Sequence, residues 1–379
     1  MGTDGQRRES TQRVTSVGWV LGAIGLGGFV ADYFLNIGLS RLLDPHTYGD
    51  YRVAHAFASF AGIAVLLGGD RAAPMVVAGL LGKGERAAAW EYLRFYLLVG
   101  TGLSAAVIAA TWITSALHVD SGDPKHHHAL AWMVVAVPVI AAGAMVSRGL
   151  QSAQHYVLAA LPWRVVFPLL KLALLGSVAW AIGGLDLHAA VVVGVAATVA
   201  VTAVQWRILR RLELPTLERE PAAAEPRKWL SASVPMMGAF LVSVALNQSD
   251  LYFLEILGAD DDVGHYAAAS TSAHFLLIIQ ATVVGLVAPR LRPALDEGPA
   301  AGRSVYSEGM RAVLTATVPA AVVVIAAARP ILSFFGPSFV DAQAELVWLT
   351  VGNAAWAAAA LAALWLQYTG RAPLVLGVT

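Results

Sequence analysis

The 379-residue chain contains no cysteine, which excludes disulfides, thiolate metal sites and cysteine nucleophiles. It is also poor in charge. Asp, Glu, Lys and Arg make up 13% of the residues against 58% hydrophobic ones, and 25 basic and 25 acidic side chains cancel to a formal net charge of zero. That balance lacks both the electrostatic footprint of a nucleic-acid binder and the polar surface of a soluble protein. No phosphate-binding Gly-x-x-x-x-Gly-Lys-Ser/Thr run is present: Gly82-Lys83 lacks a glycine at the right distance upstream and a hydroxyl after the lysine. Gly-x-Ser-x-Gly and His-Glu-x-x-His are absent too, so nucleotide hydrolysis and the commonest hydrolase chemistries have no motif here. No enzyme activity, cofactor or metal site is expected.

What the chain has is apolar length, with a mean hydropathy of +0.65. A helix needs roughly 20 apolar residues to cross the hydrocarbon core, and only helices or closed barrels satisfy their own backbone there. The polar joints predict an all-α polytopic protein with ten spans near 17–40, 53–69, 93–115, 129–147, 156–182, 188–206, 229–257, 264–288, 312–328 and 344–367. An eleventh begins near Ala372 and is cut off, so the second half is expected to be truncated. The first stretch, Val17 to Leu39, exceeds a signal-peptide core and reads as an uncleaved helix.

Lys and Arg fall on alternate joints. Of the 25, Arg41, Arg52, Lys125 and Arg329 lie on one set and Arg164 and Lys171 inside the fifth span, while the other nineteen share the opposite set. The positive-inside rule then puts the N-terminus in the cytoplasm of an inner-membrane protein. His126, His127 and His128 face outside as a solvated loop in preference to a metal site, and Asp260, Asp261 and Asp262 form a solvated turn. Gly18 and Gly22 make a Gly-x-x-x-Gly packing step.

Six spans precede the longest polar connector, so the expected organisation is an N-terminal six-helix half (1–206), a cytoplasmic linker (207–228) and a C-terminal half (229–379). Laying Gly49 to Ala54 on Gly264 to Ala269 matches glycine, tyrosine and alanine, at the joint between the first and second spans of each half. An even number of spans per half makes these parallel pseudo-repeats.

The string Leu39-Ser-Arg-Leu-Leu-Asp-Pro-His-Thr-Tyr-Gly-Asp-Tyr51 resembles the first outer joint of polysaccharide-unit (Wzx-like) flippases, a branch of the MATE-like MOP superfamily. Asn247-Gln-Ser-Asp-Leu-Tyr-Phe-Leu-Glu-Ile-Leu-Gly258, with Gly264-His-Tyr266, resembles that family's seventh span and its exit. The resemblance implies a V-shaped bundle of two six-helix halves moving lipid-linked sugar units outward by alternating access. Members usually have 12 or 14 spans, more than are present here.

Polar groups inside the spans cost about 2.5 to 3.5 kcal/mol each, so they face a wet cavity or a partner. Asp32, Asn36 and Ser40 share one face of the first span, and Ser243, Asn247 and Asp250 share one of the seventh. Either they line a cavity, with Asp32 and Asp250 binding a coupling H+ or Na+, or they hold helices together. His55 with Ser59, and Ser270 with His274, repeat the theme in the second and eighth spans, as protonation gates or as ordinary polar contacts. Arg164 and Lys171, seven residues apart between Pro162, Pro168 and Gly176, suit a diphosphate head group or snorkel to the surface. Arg41 and Arg52 receive the same head group near the outside or are interfacial charges.

These readings converge on a flippase for polyprenyl-diphosphate-linked oligosaccharide, with membrane lipid and other polysaccharide-assembly proteins as partners and no nucleic acid. A MATE-type cation-coupled multidrug antiporter is the alternative. A membrane glycosyltransferase or polymerase ranks below both, because the first outer joint is too short for a catalytic site.

Overall fold

A computed structural model describes residues 3–118, 125–212, 225–256 and 260–369, and all regular structure among them is helical. The chain opens with α1 (Thr3–Leu42), α2 (Pro45–Ala64), α3 (Gly69–Gly82) and α4 (Arg86–His118). It continues through α5 (Lys125–Met133), a short 3-10 turn and α6 (Val137–Ser152). Next comes an interrupted helix of α7 (Tyr156–Leu161), a π-turn (Pro162–Val166) and α8 (Phe167–Ile182), followed by α9 (Leu187–Leu212) and α10 (Pro226–Ile256). The last are α11 (Asp260–Ala273), α12 (Phe275–Glu297), α13 (Pro299–Ala326), the short α14 (Ala328–Phe335) and α15 (Gln343–Tyr368).

Among the described residues, eight helical stretches are long and apolar enough to cross a membrane, and the bent α2–α3 pair makes a ninth. The expected span at 229–257 coincides with α10. The stretch after Ala372, the middle of the 207–228 connector and the side chains of His126, His127 and His128 lie outside the described part. Large apolar side chains point outward: Trp180 is 89% exposed and Trp348 75%. In water such a surface would aggregate, whereas in a bilayer it meets lipid.

The chain forms two compact units, residues 1–264 and 265–379. In the first, α6 is central, packing on α2, α3, α4 and α9, while α1 lies along α8 and the π-turn. α10 packs on α2 and α3. In the second, α12, α13 and α15 pack together around Val287, Leu291, Val313 and Leu361, with the Tyr306 and Trp365 rings 5.2 Å apart. At the rim of that unit Arg290 makes a two-pronged contact with Glu308, at 3.2 and 2.8 Å.

Local chemistry sets the helix boundaries that matter. Asp44 starts α2 as its N-cap, accepting the Thr47 N–H at 3.1 Å and the Thr47 hydroxyl at 2.6 Å, with Pro45 in the first helical turn. Burial pulls the Asp44 carboxyl upward, but the Thr47 hydrogen bonds and the nearby His46 outweigh it and hold the group below its ordinary value. At Gly49 the backbone comes close to Gly264 within the first unit. A Cβ on Gly49 would meet the Gly264 nitrogen at 2.9 Å, and one on Gly264 would meet the Pro45 oxygen at 2.0 Å.

The expected second span, 53–69, was followed by a polar joint containing Arg71. Instead the chain bends by 40° between α2 and α3 and continues as helix through the apolar run Ala72 to Leu81. Leu67 (φ 48°) and Gly68 (φ 78°) make the bend in the left-handed region. Gly68 is also a close approach, since a Cβ there would sit 2.2 Å from the Ser233 oxygen of α10. Ser233 shares a hydrogen bond with the Tyr96 hydroxyl at 2.8 Å, and the Trp229 ring meets Tyr92 at 5.3 Å, so α10 is anchored on α3 and α4 by polar and aromatic contacts.

The π-turn has a chemical cause. Pro162 has no N–H, so the Leu158 carbonyl one turn earlier loses its helical donor. Buried Gln205 of α9 replaces it, donating to the Leu158 oxygen at 2.9 Å and the Ala159 oxygen at 3.1 Å. Its own oxygen accepts the Trp163 indole N–H at 2.6 Å, and the Ser147 hydroxyl also donates to Ala159, at 2.9 Å. On the other side α1 presses against the turn, where a Cβ on Gly28 would lie 2.8 Å from the Arg164 carbonyl oxygen.

Two outcomes follow. Gln205→Leu orphans carbonyls in an apolar setting and should cost about 1–3 kcal/mol, read as an earlier melting transition of the detergent-solubilised protein; an unchanged transition would contradict the clamp. Asp44→Ala should cost about 1 kcal/mol at neutral pH. Because the folded-state value lies below the ordinary 3.8, the charged cap's contribution is present above that value and is lost as the pH falls through the lowered one. The difference between the two proteins' melting temperatures should therefore narrow at acid pH.

Candidate functional site

The polar residues of the first unit form two groups. The first is built at the α1–α2 corner. On α2, Tyr48 and Arg52 are one turn apart and both reach back to the Asn36 side-chain oxygen on α1: Tyr48 donates to it at 3.2 Å, and an Arg52 guanidinium N–H donates to the same atom. The Asn36 amide donates to the Asp32 carbonyl at 2.8 Å and to its carboxylate at 3.1 Å. Asn36 thus relays the Arg52 charge toward Asp32, whose side chain is exposed. Ser40 is turned onto its own helix, donating to the Ile37 oxygen at 2.9 Å. Arg41 is exposed in the last turn of α1.

One residue before Arg52, Tyr51 faces the opposite way into the bundle. Lys171 of α8 donates to the Tyr51 hydroxyl, and its ammonium lies 4.8 Å from the Tyr51 ring centre and 5.6 Å from that of Phe167. The His55 ring stacks on Tyr51 at 5.9 Å. Gly194 of α9 leaves room for the lysine stem, because a Cβ there would touch its Cε at 3.4 Å. Lys171 is only 2% exposed. Among the described residues it has no carboxylate partner, so its charge is held by a phenol and two aromatic faces.

The second group lines a cleft of about 360 Å3 between α1, α2, α3, α6 and the α7–π-turn segment. Arg71, Arg148 and Arg164 border it together with Asp70, Gln151, Tyr156 and Trp163. Asp70, 2% exposed, pairs with Arg71 at 3.2 Å, while its second carboxylate oxygen has no hydrogen-bond donor. Arg148 donates to Gln151 at 2.6 Å. Arg164 is exposed and makes no hydrogen bond or ion pair among the described residues.

Arg164 and Lys171 therefore occupy different surroundings. Seven residues of α-helix return to within about 20° of the same face, but Arg164 lies within the π-turn Pro162–Val166, whose wider winding breaks that phase before Lys171 on α8. The aromatic cradle of Tyr51 and the roles of Asp70, Arg71 and Arg148 escaped sequence reasoning. Its one usable trace was the adjacent Asp70-Arg71 pair with apolar sequence continuing on both sides.

Asp250 is exposed, its carboxylate accepting the Leu251 N–H at 2.9 Å. The side chains of Ser243 and Asn247 lie outside the described ones. In the second unit, His274 sits at the break between α11 and α12, its N–H bonded to the Ser270 oxygen at 3.0 Å.

Comparison with known proteins fits this architecture. The chain is similar in structure to a multidrug resistance MATE family transporter of the MOP superfamily in an inward-facing conformation, with a TM-score of 0.70, 15% identity, and coverage of 90% of this chain and 81% of that one. A mutant of the Vibrio cholerae MATE transporter VcmN gives a TM-score of 0.65 at 15% identity, covering 97% and 86%. The eukaryotic MATE transporter AtDTX14 gives 0.58 at 16% identity, covering 96% and 84%. No curated protein matches in sequence. The family model described as polysaccharide biosynthesis protein matches residues 14–292. With most of its length inside that match, its helices arranged as in MATE transporters and cations set among them, the chain belongs to the polysaccharide biosynthesis protein family of polytopic membrane proteins.

Proposed function

We propose that the protein is an inner-membrane flippase that takes a polyprenyl-diphosphate-linked oligosaccharide from the cytoplasmic leaflet and releases it outside by alternating access. The family assignment and the transporter fold support an exporter of this kind. The observation that carries the reading is the chemistry of the buried charge. Lys171 is enclosed in the bundle with no carboxylate partner among the described residues, an arrangement that attracts an anionic head group and repels the organic cations of a drug antiporter. Asp32 and Asp250 are the candidates for an H+ or Na+ that couples the cycle.

In this reading the halves 1–206 and 229–379 rock about the 207–228 linker, with the N-terminus in the cytoplasm. Arg52, bonded to Asn36 at the α1–α2 corner, would receive the head group after it leaves Lys171. His55 and, in the second unit, Ser270 and His274 supply further polar surface. Other polysaccharide-assembly proteins would deliver the substrate and consume the product.

Purified protein in liposomes should move a fluorescent polyprenyl-diphosphate oligosaccharide between leaflets, and Arg164→Gln with Lys171→Met should abolish this without changing drug resistance in cells. Drug efflux that depends on Asp32, with no glycolipid movement, would establish the antiporter instead. A second outcome separates function from folding. Replacing Lys171 by Met together with Tyr51→Phe removes an unneutralised buried charge and should leave stability equal or higher, by about 1–4 kcal/mol, while transport is lost. A large loss of stability would make Lys171 a structural residue.

A further inference from the structure

We propose that the arginine cleft of the first unit is the loading site for the substrate's diphosphate, with Arg71, Arg148 and Arg164 as its ligands and Asp70 as a built-in competitor that holds the empty site together. This deepens the flippase reading and rests on it. Three guanidinium groups and one carboxylate border the space, a formal excess of two positive charges inside an apolar bundle. An excess of that size matches the roughly two negative charges of a diphosphate ester, and planar guanidinium forks present paired donors to phosphate oxygens.

The donors are available. Arg148 has one hydrogen bond among the described residues, to Gln151 at 2.6 Å, and Arg164 has none. Arg148 shares this cleft with Asp70, Arg71 and Arg164. The scaffold around them is tied by hydrogen bonds. Arg164 projects from the π-turn that Gln205 clamps and Gly28 backs. Ser152 ties α6 to α3 through the Ala73 oxygen at 3.1 Å, fixing Arg148 relative to Asp70 and Arg71.

Asp70 offsets part of that excess in the empty site, since it pairs with Arg71 at 3.2 Å. An arriving diphosphate takes over that role. The walls supply the rest of the recognition: Tyr156 and Trp163 offer aromatic faces beside the cations, and the remaining lining is mostly apolar, suiting the isoprenyl chain next to the phosphates. Arg148 lies near the C-terminal end of α6, next to a joint of the basic set that the charge pattern assigns to the cytoplasm, the side from which the substrate must load.

The test is binding of farnesyl diphosphate to the full-length protein in nanodiscs, with farnesyl monophosphate, inorganic pyrophosphate and phosphatidylglycerol as comparison arms. Arg148→Gln and Arg164→Gln should each weaken farnesyl diphosphate about tenfold or more and flatten the salt dependence, while Arg148→Lys retains part of the affinity. Asp70→Asn should tighten binding, which a purely structural role for the pair would not do. Unchanged affinity in both glutamine variants would overturn the site, and so would phosphatidylglycerol binding as tightly as the diphosphate, which would assign the cleft to a resident lipid. Flipping that survives in Arg148→Gln sinks the loading site but leaves the flippase standing; cleft-dependent binding without flipping by the wild type does the reverse.

Discussion

A polar group in hydrocarbon has no water to fall back on, and the arrangement of the first unit follows from how each such group is met. Gln205 supplies the hydrogen bonds that Pro162 withholds, so the interrupted helix crosses as a π-turn in place of a broken end. Asn36 uses both ends of its amide, taking donors from α2 and giving hydrogens to Asp32. The same constraint makes the unmet groups informative. Among the described residues, buried Lys171 has no acid beside it, and Arg164, exposed at the cleft, has no hydrogen-bond or ion-pair partner.

The two cationic places have different characters. At Lys171 the charge is enclosed and its neighbours are aromatic. At the arginine cleft the charges are forked and more accessible, with a carboxylate among them. A site that first captures and a site that then holds need those properties in that order: accessible donors raise the rate of encounter, and a dry ammonium strengthens the electrostatic grip. The π-turn connects the two, because it sets the angle between the Arg164 and Lys171 side chains along one continuous helix.

Much of the fold was legible in the chain. Apolar runs located the helices, the charge asymmetry suggested their direction, and the strings around Asp44 and Asp250 resembled the family that the residue 14–292 match establishes. The reading of the second span failed for a physical reason: hydropathy marks where a helix can sit in lipid, but the 40° bend at Leu67 and Gly68 depends on Ser233 of α10 arriving where a side chain would otherwise be. Asp70-Arg71 read as a surface joint because two adjacent charges usually are one. Only the fold buries Asp70 and sets Arg71, Arg148 and Arg164 around one cleft.

From residues alone came the solvent in which this protein folds, the helical class and the presence of cations and acids at membrane depth, since transfer energies and helical period are local properties. Tertiary structure decided which charges meet. The seven-residue spacing of Arg164 and Lys171 promised one shared face, and the Pro162 turn, clamped from α9, divided it between an open cleft and a closed aromatic pocket. That outcome rests on a glutamine more than thirty residues away in sequence, and a long-range hydrogen bond leaves no trace in local pattern.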